Sequence, residues 1–293
     1  MKVLASRSYE DSRGFFYLPL YVESCWGGMM AILEEDKSQI IDTHAHLDDE
    51  KFHEDREDVV TRAKETGLKY IINVGCDLSS SRKVMALAEE FSMVYAAIGI
   101  HPHDAQGVNE GVFRELKELS KHNKVVAFGE IGLDYHYDFS PRELQREVFL
   151  SQLDLGKELD LPVIIHDREA HGDITEVLKS KCYRGIRGVL HCFSGSYEMA
   201  KECMNLGYYI SFAGPITFTN SRRLQEVASK VPLDFILAET DSPYLTPEPY
   251  RGKRNEPMNV RLVVEKIAEI KGLPYQAVAE KTLENAKTLF GLS

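Results

Sequence analysis

The sequence has few of the features that mark several common protein classes. Its five cysteines are scattered, odd in number and form no Cys-x-x-Cys pair. This usage excludes a disulfide scaffold and is typical of reduced thiols in a cytosolic protein. No stretch approaches the roughly 20 consecutive apolar residues of a membrane-spanning helix, so we expect no membrane insertion. Apolar residues still make up 43% of the chain, which is enough for an ordinary globular core.

Basic residues are also outnumbered, with 35 Lys and Arg against 46 Asp and Glu, and the formal net charge is −11. This excess of acidic residues argues against a broad basic face that wraps nucleic acid. It leaves room for a metal site, because bound cations can make a local pocket positive. The composition and the cysteines together predict a cytoplasmic protein.

The first 36 residues differ from the rest of the chain. An apolar run at residues 15–22 (FFYLPLYV) is interrupted by Pro19 and preceded by two acidic residues, which is unlike a secretory signal. We interpret residues 1–36 as an N-terminal extension that is disordered or arises from an upstream start codon. The pair Met29-Met30 then supplies the natural start. Residues 37–293 are predicted to form a single domain.

Short apolar runs alternate with longer amphipathic segments from residue 37 onward. This alternation predicts parallel strands joined by helices, and continuous apolar strands are typical of burial on both faces. Eight such units match a closed (β/α)₈ TIM-type barrel of the α/β class, with an open doubly wound sheet as the alternative. The runs occupy residues 40–47, 69–75, 94–102, 125–135, 161–168, 188–194, 208–214 and 235–244.

Two segments carry more specific helix signals. Residues 140–160 begin with Ser140, Pro141 and Glu143, the pattern of a capping box with proline at the first helical position. The tail, residues 273–293, predicts one more helix that closes the structure.

Metal-ligand residue types stand at the carboxyl ends of five predicted strands. His44 and His46 are two residues apart, which places both on one face of the first strand. The other four each follow an apolar run: Glu130, His166, His191 and Asp241. Barrel enzymes build their sites at this end of the strands, and burying such groups unpaired would be unfavourable. Four imidazoles and two carboxylates can hold two divalent ions, with one carboxylate as a bridge.

A site of this kind favours an anionic substrate. The charge of two divalent ions exceeds that of two carboxylates and a hydroxide, so an acidic protein can present a positive pocket. Arg168, just after the fifth strand, would add positive charge and bind the substrate. Three basic residues in the loop after the eighth strand either add to this charge or form a solvated surface: Arg251, Lys253 and Arg254.

The strand ends resemble a known family, the TatD family of metal-dependent deoxyribonucleases, within the amidohydrolase-like barrels. The strings that carry the resemblance span residues 39–290: IIDTHAHLDD, GIHPHD, GEIGLDYHYD, PVIIHDR, LHCFSG, YISFAGPITF and LAETDSPYLTP. The resemblance implies a cytoplasmic (β/α)₈ hydrolase that cleaves DNA phosphodiester bonds by a metal-activated water. A 3′–5′ exonuclease acting on single strands or DNA ends is the expected type. Glu130 on the fourth strand, where related barrels often carry a carbamylated lysine, favours this family over those relatives.

The resemblance also assigns roles by position. His44, His46 and Asp241 would bind a first metal ion, His166 and His191 a second, and Glu130 would bridge the two. Asp241 and Glu130 are the expected catalytic residues, and Asp241 would orient the attacking water and accept its proton.

Residues beside these ligands have expected supporting roles. His101, at the end of the third strand, would contact a substrate phosphate, or else anchor its loop, and His103 would be structural. Asp134 and Tyr135 follow Glu130 in a loop, where they could hold metal ligands in place.

The metal and the substrate each leave alternatives open. Imidazole ligands suit zinc or manganese, whereas the resemblance implies magnesium. One alternative function is a metal-dependent ester or amide hydrolase on the same barrel, such as a D-aminoacyl-tRNA deacylase. The other is a non-catalytic metal-binding scaffold, which the six converging ligand residues argue against. Preference for an oligonucleotide over an aminoacyl ester would distinguish the nuclease from the deacylase.

Overall fold

The computed structural model describes residues 39–293. The predicted N-terminal extension, residues 1–36, lies outside the described residues. Within the described part of the chain, no helix is both long and apolar enough to cross a membrane.

Eight strands alternate with helices along residues 39–293, as the sequence predicts. The strands are β1 (Ile40–Ala45), β2 (Leu68–Val74), β3 (Val94–Ile98), β4 (Val125–Asp134), β5 (Val163–Arg168), β6 (Gly188–Leu190), β7 (Tyr208–Phe212) and β8 (Ile236–Ala238). The helices are α1 (Arg56–Glu65), α2 (Leu78–Glu90), α3 (Glu110–Leu119), α4 (Arg142–Glu158), α5 (His171–Lys179), α6 (Tyr197–Asn205), α7 (Arg222–Lys230), α8 (Val260–Lys271) and α9 (Tyr275–Phe290). Neighbouring strands are parallel and follow chain order.

The barrel closes where β1 meets the chain that follows β8. A parallel bridge joins Ala45 to Ser242. The amide of Asp241 donates to the His44 carbonyl oxygen at 2.9 Å, and the amide of His46 donates to the Ser242 carbonyl oxygen at 2.8 Å. The (β/α)₈ prediction is therefore confirmed, and the open-sheet alternative is wrong. The closing hydrogen bonds also bring three predicted ligand residues side by side.

Apolar side chains fill the inside of the barrel. One buried cluster joins residues of several strands to the end of α9: Ile41, Ile72, Ile164, Val189, Leu237, Ala286, Leu289 and Phe290. Near the start of β2, the Tyr70 hydroxyl donates to the Ser293 carbonyl oxygen, which places the end of the chain at the amino-terminal ends of the strands. A packed interior is normal for this fold, and it confines an accessible site to the carboxyl-terminal ends. The helix predicted for the tail is confirmed as α9.

The shortest strands end just before predicted ligand residues. β6 and β8 contain three residues each, so His191 and Asp241 lie beyond the regular strands. Cys192 and Asp241 have φ angles of +42° and +56°. Such left-handed backbone at non-glycine residues ends a strand and turns the chain outward.

The predicted capping box before α4 is wrong. Pro141 precedes the helix, and the Ser140 side chain makes no cap hydrogen bond. The buried Ser140 hydroxyl instead donates to the His103 carbonyl oxygen at 2.8 Å and accepts the Gln106 amide at 3.3 Å. A contact with a neighbouring loop has replaced the local hydrogen bond that the sequence pattern favours.

Candidate metal centre

The first group of predicted ligands lies where β1 and β8 meet, and we call it the β1–β8 group (His44, His46 and Asp241). His44 Nε2 and His46 Nε2 are 3.2 Å apart. Asp241 Oδ1 lies 3.4 Å from His46 Nε2 and 3.8 Å from His44 Nε2. Asp241 has a positive φ and its amide makes one of the closing hydrogen bonds. Backbone strain of this kind, about 1–3 kcal/mol, is typical of functional sites.

The second group, called the β5–β6 group (His166 and His191), faces the first across Glu130. Glu130 Oε1 lies 2.6 Å from both His166 Nδ1 and His191 Nε2. Its other oxygen, Oε2, lies 3.5 Å from His44 Nε2. The Glu130 side chain is only 4% exposed. One buried carboxylate therefore turns one oxygen toward each group.

The spacing of these atoms fits divalent cations. Two ligand nitrogens about 2.0–2.1 Å from one tetrahedral zinc ion lie about 3.3 Å apart. The inward nitrogens are 3.2 Å apart in the β1–β8 group and 3.3 Å apart in the β5–β6 group. Three overlapping sets of side chains converge closely enough to hold a metal: His44, His191 and Asp241; His44, His46 and Glu130; and His101, Glu130 and His166.

Hydrogen-bond partners behind the rings determine which ring nitrogen carries the proton. His46 Nδ1 lies 2.9 Å from the Val74 carbonyl oxygen, which can only accept a hydrogen bond. His166 Nε2 lies 3.1 Å from Asp134 Oδ2 in the same way. In the neutral form of both rings the outer nitrogens therefore donate, and each inward nitrogen has a lone pair that it can offer to a metal ion. This is the arrangement of metal-binding imidazoles.

His101 has the opposite arrangement. The amide of His103 donates to His101 Nδ1 at 3.1 Å, so the neutral ring carries its hydrogen on Nε2. That nitrogen points into the centre and lies 3.8 Å from Glu130 Oε1. Burial and the nearby His166 hold the pKa of His101 well below its usual range, which keeps the ring neutral. His101 is thus suited to donate a hydrogen bond inside the centre.

The charges of the centre are strongly coupled. Burial pushes the pKa of Glu130 upward, but the imidazoles around it, His191 and His101 first, hold it well below the usual range. Burial lowers the pKa of His191, but the Glu130 carboxylate raises it well above the usual range. Glu130 is therefore ionised, and His191 binds a proton strongly when nothing else occupies that position.

Two further carboxylates support the β5–β6 group from behind. Asp134 Oδ2 contacts both His166 Nε2 and His103 Nε2, the latter at 3.0 Å. Glu239 Oε1 lies 3.3 Å from His191 Nδ1, and the Glu239 carboxylate also accepts the Cys192 amide at 2.6 Å. Carboxylates behind imidazoles orient the rings and make the inward nitrogens stronger ligands.

The supporting residues agree only partly with the sequence predictions. Asp134 has the predicted contact, but it is the last residue of β4 rather than part of a loop. Tyr135 does not take that position, because its hydroxyl donates to Asp173 at 2.5 Å. Glu239 was not predicted, although it lies two residues before Asp241. That spacing was the available signal, since residues two apart on a strand share a face.

The predicted cations at the rim differ in their surroundings. Arg168 is exposed at the end of β5, and its guanidinium lies 4.6 Å from the ring centre of Tyr137. Arg254 is instead paired with Asp55 at 2.6 Å and Glu256 at 3.0 Å. Its charge is neutralised locally, so of the two roles left open for this loop, Arg254 does not take that of adding to a positive pocket. Arg251 and Lys253 lie over the rings of Phe218 and Tyr250.

Comparison with known proteins places this centre in a family. Residues 41–291 match the family model described as TatD related DNase. YabD of Bacillus subtilis, an uncharacterized metal-dependent hydrolase, is 48% identical over 254 residues, which cover 87% of this chain and 100% of that protein. A Shigella flexneri protein named 3′-5′ ssDNA/RNA exonuclease TatD is 34% identical over 262 residues, covering 87% and 100%.

Solved structures agree with this placement. The crystal structure of YJJV, a TatD homolog from Escherichia coli, matches with a TM-score of 0.83 at 34% identity, covering 88% of this chain and 100% of that one. The family model and the curated relatives both span the strand ends that carry the candidate ligands. The chain therefore belongs to the TatD family of metal-dependent hydrolases.

Proposed function

We propose that this protein is a two-metal deoxyribonuclease that cleaves single-stranded DNA or DNA ends as a 3′–5′ exonuclease. The observation that carries the proposal is the position of Glu130, whose two oxygens face different groups of imidazoles. A carboxylate placed in this way suits two adjacent ions. The description of the family model and the name of the Shigella relative support DNA as the substrate.

In this proposal, each group of imidazoles would hold one ion. The β1–β8 group would hold the first, the β5–β6 group would hold the second, and Glu130 would contribute to both. When bound, such ions supply Lewis acidity and a hydroxide nucleophile for phosphodiester hydrolysis. The ions are magnesium, manganese or zinc, and the four imidazoles favour the latter two.

Asp241 is the proposed proton acceptor. Burial raises its pKa, but hydrogen bonding to His46 and the charge of His44 hold that pKa below the usual range. An ionised carboxylate at the edge of the centre can orient an attacking water and take its proton.

His101 and Arg168 are the proposed substrate contacts. The His101 Nε2–H can donate to a phosphoryl oxygen, because its ring is neutral and its Nδ1 is already engaged by the His103 amide. Arg168 forms no ion pair within residues 39–293, so its guanidinium is available to a phosphate. We also propose a cytoplasmic location, which the free thiols of Cys76, Cys182, Cys192 and Cys203 support.

The test is cleavage of an end-labelled single-stranded DNA oligomer by the protein loaded with magnesium, manganese or zinc. We expect products that shorten from the 3′ end, and we expect chelation or Asp241→Asn to abolish them. Asp234→Asn is the matched control, since Asp234 is an exposed carboxylate beside Lys281. Circular dichroism should show that both variants fold.

The alternatives are outcomes of the same test. Intact oligomer with all three ions, at full metal occupancy, would overturn the nuclease. Hydrolysis of an aminoacyl ester by that same sample would then assign the centre to a deacylase, and hydrolysis of neither would favour a scaffold.

A further inference from the structure

Two neighbouring aromatic side chains are exposed beside the metal centre. Tyr137 is 47% exposed and Phe139 is 63% exposed. Both lie in the connection between β4 and α4, which is at the same end of the barrel as the ligand residues. Adjacent exposed rings are uncommon on a protein surface and point to a binding role.

The two rings form an ordered stack. Their centroids are 5.2 Å apart and their planes are inclined by only 16°. The Arg168 guanidinium lies 4.6 Å from the Tyr137 centroid, and the rings of His103 and Phe139 form a T-shaped pair with centroids 4.7 Å apart. These contacts fix the orientation of both rings while Phe139 keeps most of its surface open to solvent.

The loop that carries the rings is tied to the metal centre. Asp134 Oδ1 accepts the amides of His136 and Tyr137, each at 3.0 Å. Its other oxygen contacts His166, whose ring centroid is 6.4 Å from that of His103. One carboxylate therefore positions both a candidate metal ligand and the aromatic stack. A surface fixed in this way loses little conformational entropy when a ligand binds.

The ring face and the charges around it favour a flat ligand with a negatively charged group attached to it. Acidic groups around the loop already have partners: Asp138 forms an ion pair with Arg142 at 2.7 Å, and Glu169 lies 2.8 Å from His136 Nδ1. Arg168, by contrast, has no carboxylate partner within the described chain. An aromatic face next to an unpaired guanidinium is the combination that binds an unpaired base and its phosphate.

We propose that Tyr137 and Phe139 form a stacking platform for a nucleobase of a single-stranded nucleic acid. The platform deepens the proposed function and rests on it: a base stacked on Phe139 places the adjoining phosphate beside Arg168 and the metal centre. Stacking on an open ring requires a base whose face is free, so the platform selects single strands over paired duplex. It accepts any base, because every base has an aromatic face.

The test uses the ion-loaded protein and a set of single-stranded DNA oligomers of one sequence. Each carries one abasic nucleotide, moved stepwise along the last nucleotides before the cleaved end. At the position that meets the platform, the abasic substitution should raise KM about tenfold, the order found when a base loses its aromatic partner. The Tyr137→Ala/Phe139→Ala double variant should show the same raised KM with the intact oligomer and no further effect of the abasic site.

Two control variants separate stacking from surface effects. Phe139→Tyr keeps a ring and should keep a KM near that of the natural protein. Leu273→Ala removes an exposed apolar side chain between α8 and α9 and should leave KM unchanged. A 2-aminopurine at the sensitive position should be quenched on binding to the natural protein, which provides a readout that needs no variant.

The other outcomes reject either the platform alone or the platform together with the proposed function. Equal KM for intact and abasic oligomers, or a double variant still sensitive to the abasic site, rejects the platform while observed cleavage keeps the nuclease. A dimer that dissociates in the double variant assigns the rings to a contact between copies and also rejects the platform. If no oligomer is cleaved, the proposed function fails and the platform fails with it.

Discussion

The two groups of imidazoles in the centre are supported differently. In the β1–β8 group, the partner behind His46 is an uncharged carbonyl oxygen of Val74. His44 Nδ1 is buried and has no hydrogen-bond partner among the described residues. In the β5–β6 group, both rings have a carboxylate behind them: Asp134 hydrogen-bonds to His166 Nε2, and Glu239 Oε1 lies 3.3 Å from His191 Nδ1, which makes no hydrogen bond within the described residues.

If each group holds one ion, as proposed, this difference predicts that the two ion positions are not equivalent. A carboxylate behind an imidazole increases the negative charge felt by the inward nitrogen and so strengthens metal binding. We therefore expect the β5–β6 position to bind its ion more tightly. The β1–β8 position, beside Asp241, should exchange its ion more readily.

Removing Glu130 should have the largest effect, because its two carboxylate oxygens face both groups. Glu130→Ala should lower the rate of DNA cleavage by about 10³-fold or more, since the pocket loses both a ligand and its charge. Metal content measured by mass spectrometry should fall below two ions per chain. Glu118→Ala, on an exposed helix face beside Lys121, is the control and should retain activity. Full activity of Glu130→Ala would reject the shared-carboxylate account.

Removing one supporting carboxylate should affect one ion position more than the other. Glu239→Gln or Asp134→Asn should weaken metal binding at the β5–β6 position by about 10–100-fold, because a ligand imidazole there loses the carboxylate charge behind it. Competition with a chromophoric chelator measures both affinities in one titration. If both affinities fall equally, the two positions are equivalent and the comparison is wrong.

The proton affinities of the β5–β6 group should depend on Glu130. Burial lowers the pKa values of His166 and His191, and the Glu130 carboxylate raises both above the usual range. Glu130→Gln removes that charge, so both pKa values should fall, as measured by NMR on chelator-treated protein, although Asp134 and Glu239 still act to raise them. A histidine whose pKa is raised by folding stabilises the folded state at low pH, and this stabilisation disappears as pH rises through the raised pKa. The variant should therefore lose the most unfolding free energy at low pH, and its deficit should decline as pH rises through the pKa values of the natural protein. Unchanged histidine titrations would contradict the coupling.

A smaller effect is expected at the rim, outside the β1–β8 group. Hydrogen bonding to Arg254 lowers the pKa of Asp55 to about 2. Asp55→Asn should destabilise the fold by about 1 kcal/mol near neutral pH, because the pair is partly exposed and screened by water. The depressed pKa contributes stability above the unfolded value and loses it as pH falls toward 2, so the difference should shrink in acid. Denaturant unfolding at several pH values measures it, and a constant difference would speak against the ion pair.

The barrel, and the residues that meet at the carboxyl-terminal ends of its strands, could be predicted from the sequence. The residues that meet stand directly after apolar strand runs, and the carboxyl ends of parallel strands converge on one rim. Sequence could not predict which ring nitrogen faces the centre, because that depends on partners such as Val74 and Asp134 on other strands. Nor could it predict that Arg254 pairs with Asp55, nearly 200 residues away in the chain.

Glu239 and Ser140 show two further limits. Glu239 follows the apolar run of the eighth strand and precedes the turn at Asp241. Only its spacing of two residues from Asp241 could have indicated that the two side chains share a face. Ser140 matches a local capping pattern, but a buried contact with the His103 loop is available only in the folded protein.

Anomalous diffraction from crystals loaded with zinc tests the central claim that Glu130 is shared between two ions. We predict two peaks per chain, about 3.5–4 Å apart. One peak should contact His44, His46 and Asp241, the other should contact His166 and His191, and both should lie at about 2.0–2.2 Å from a Glu130 oxygen. A single peak, or two peaks of which only one reaches Glu130, would contradict it.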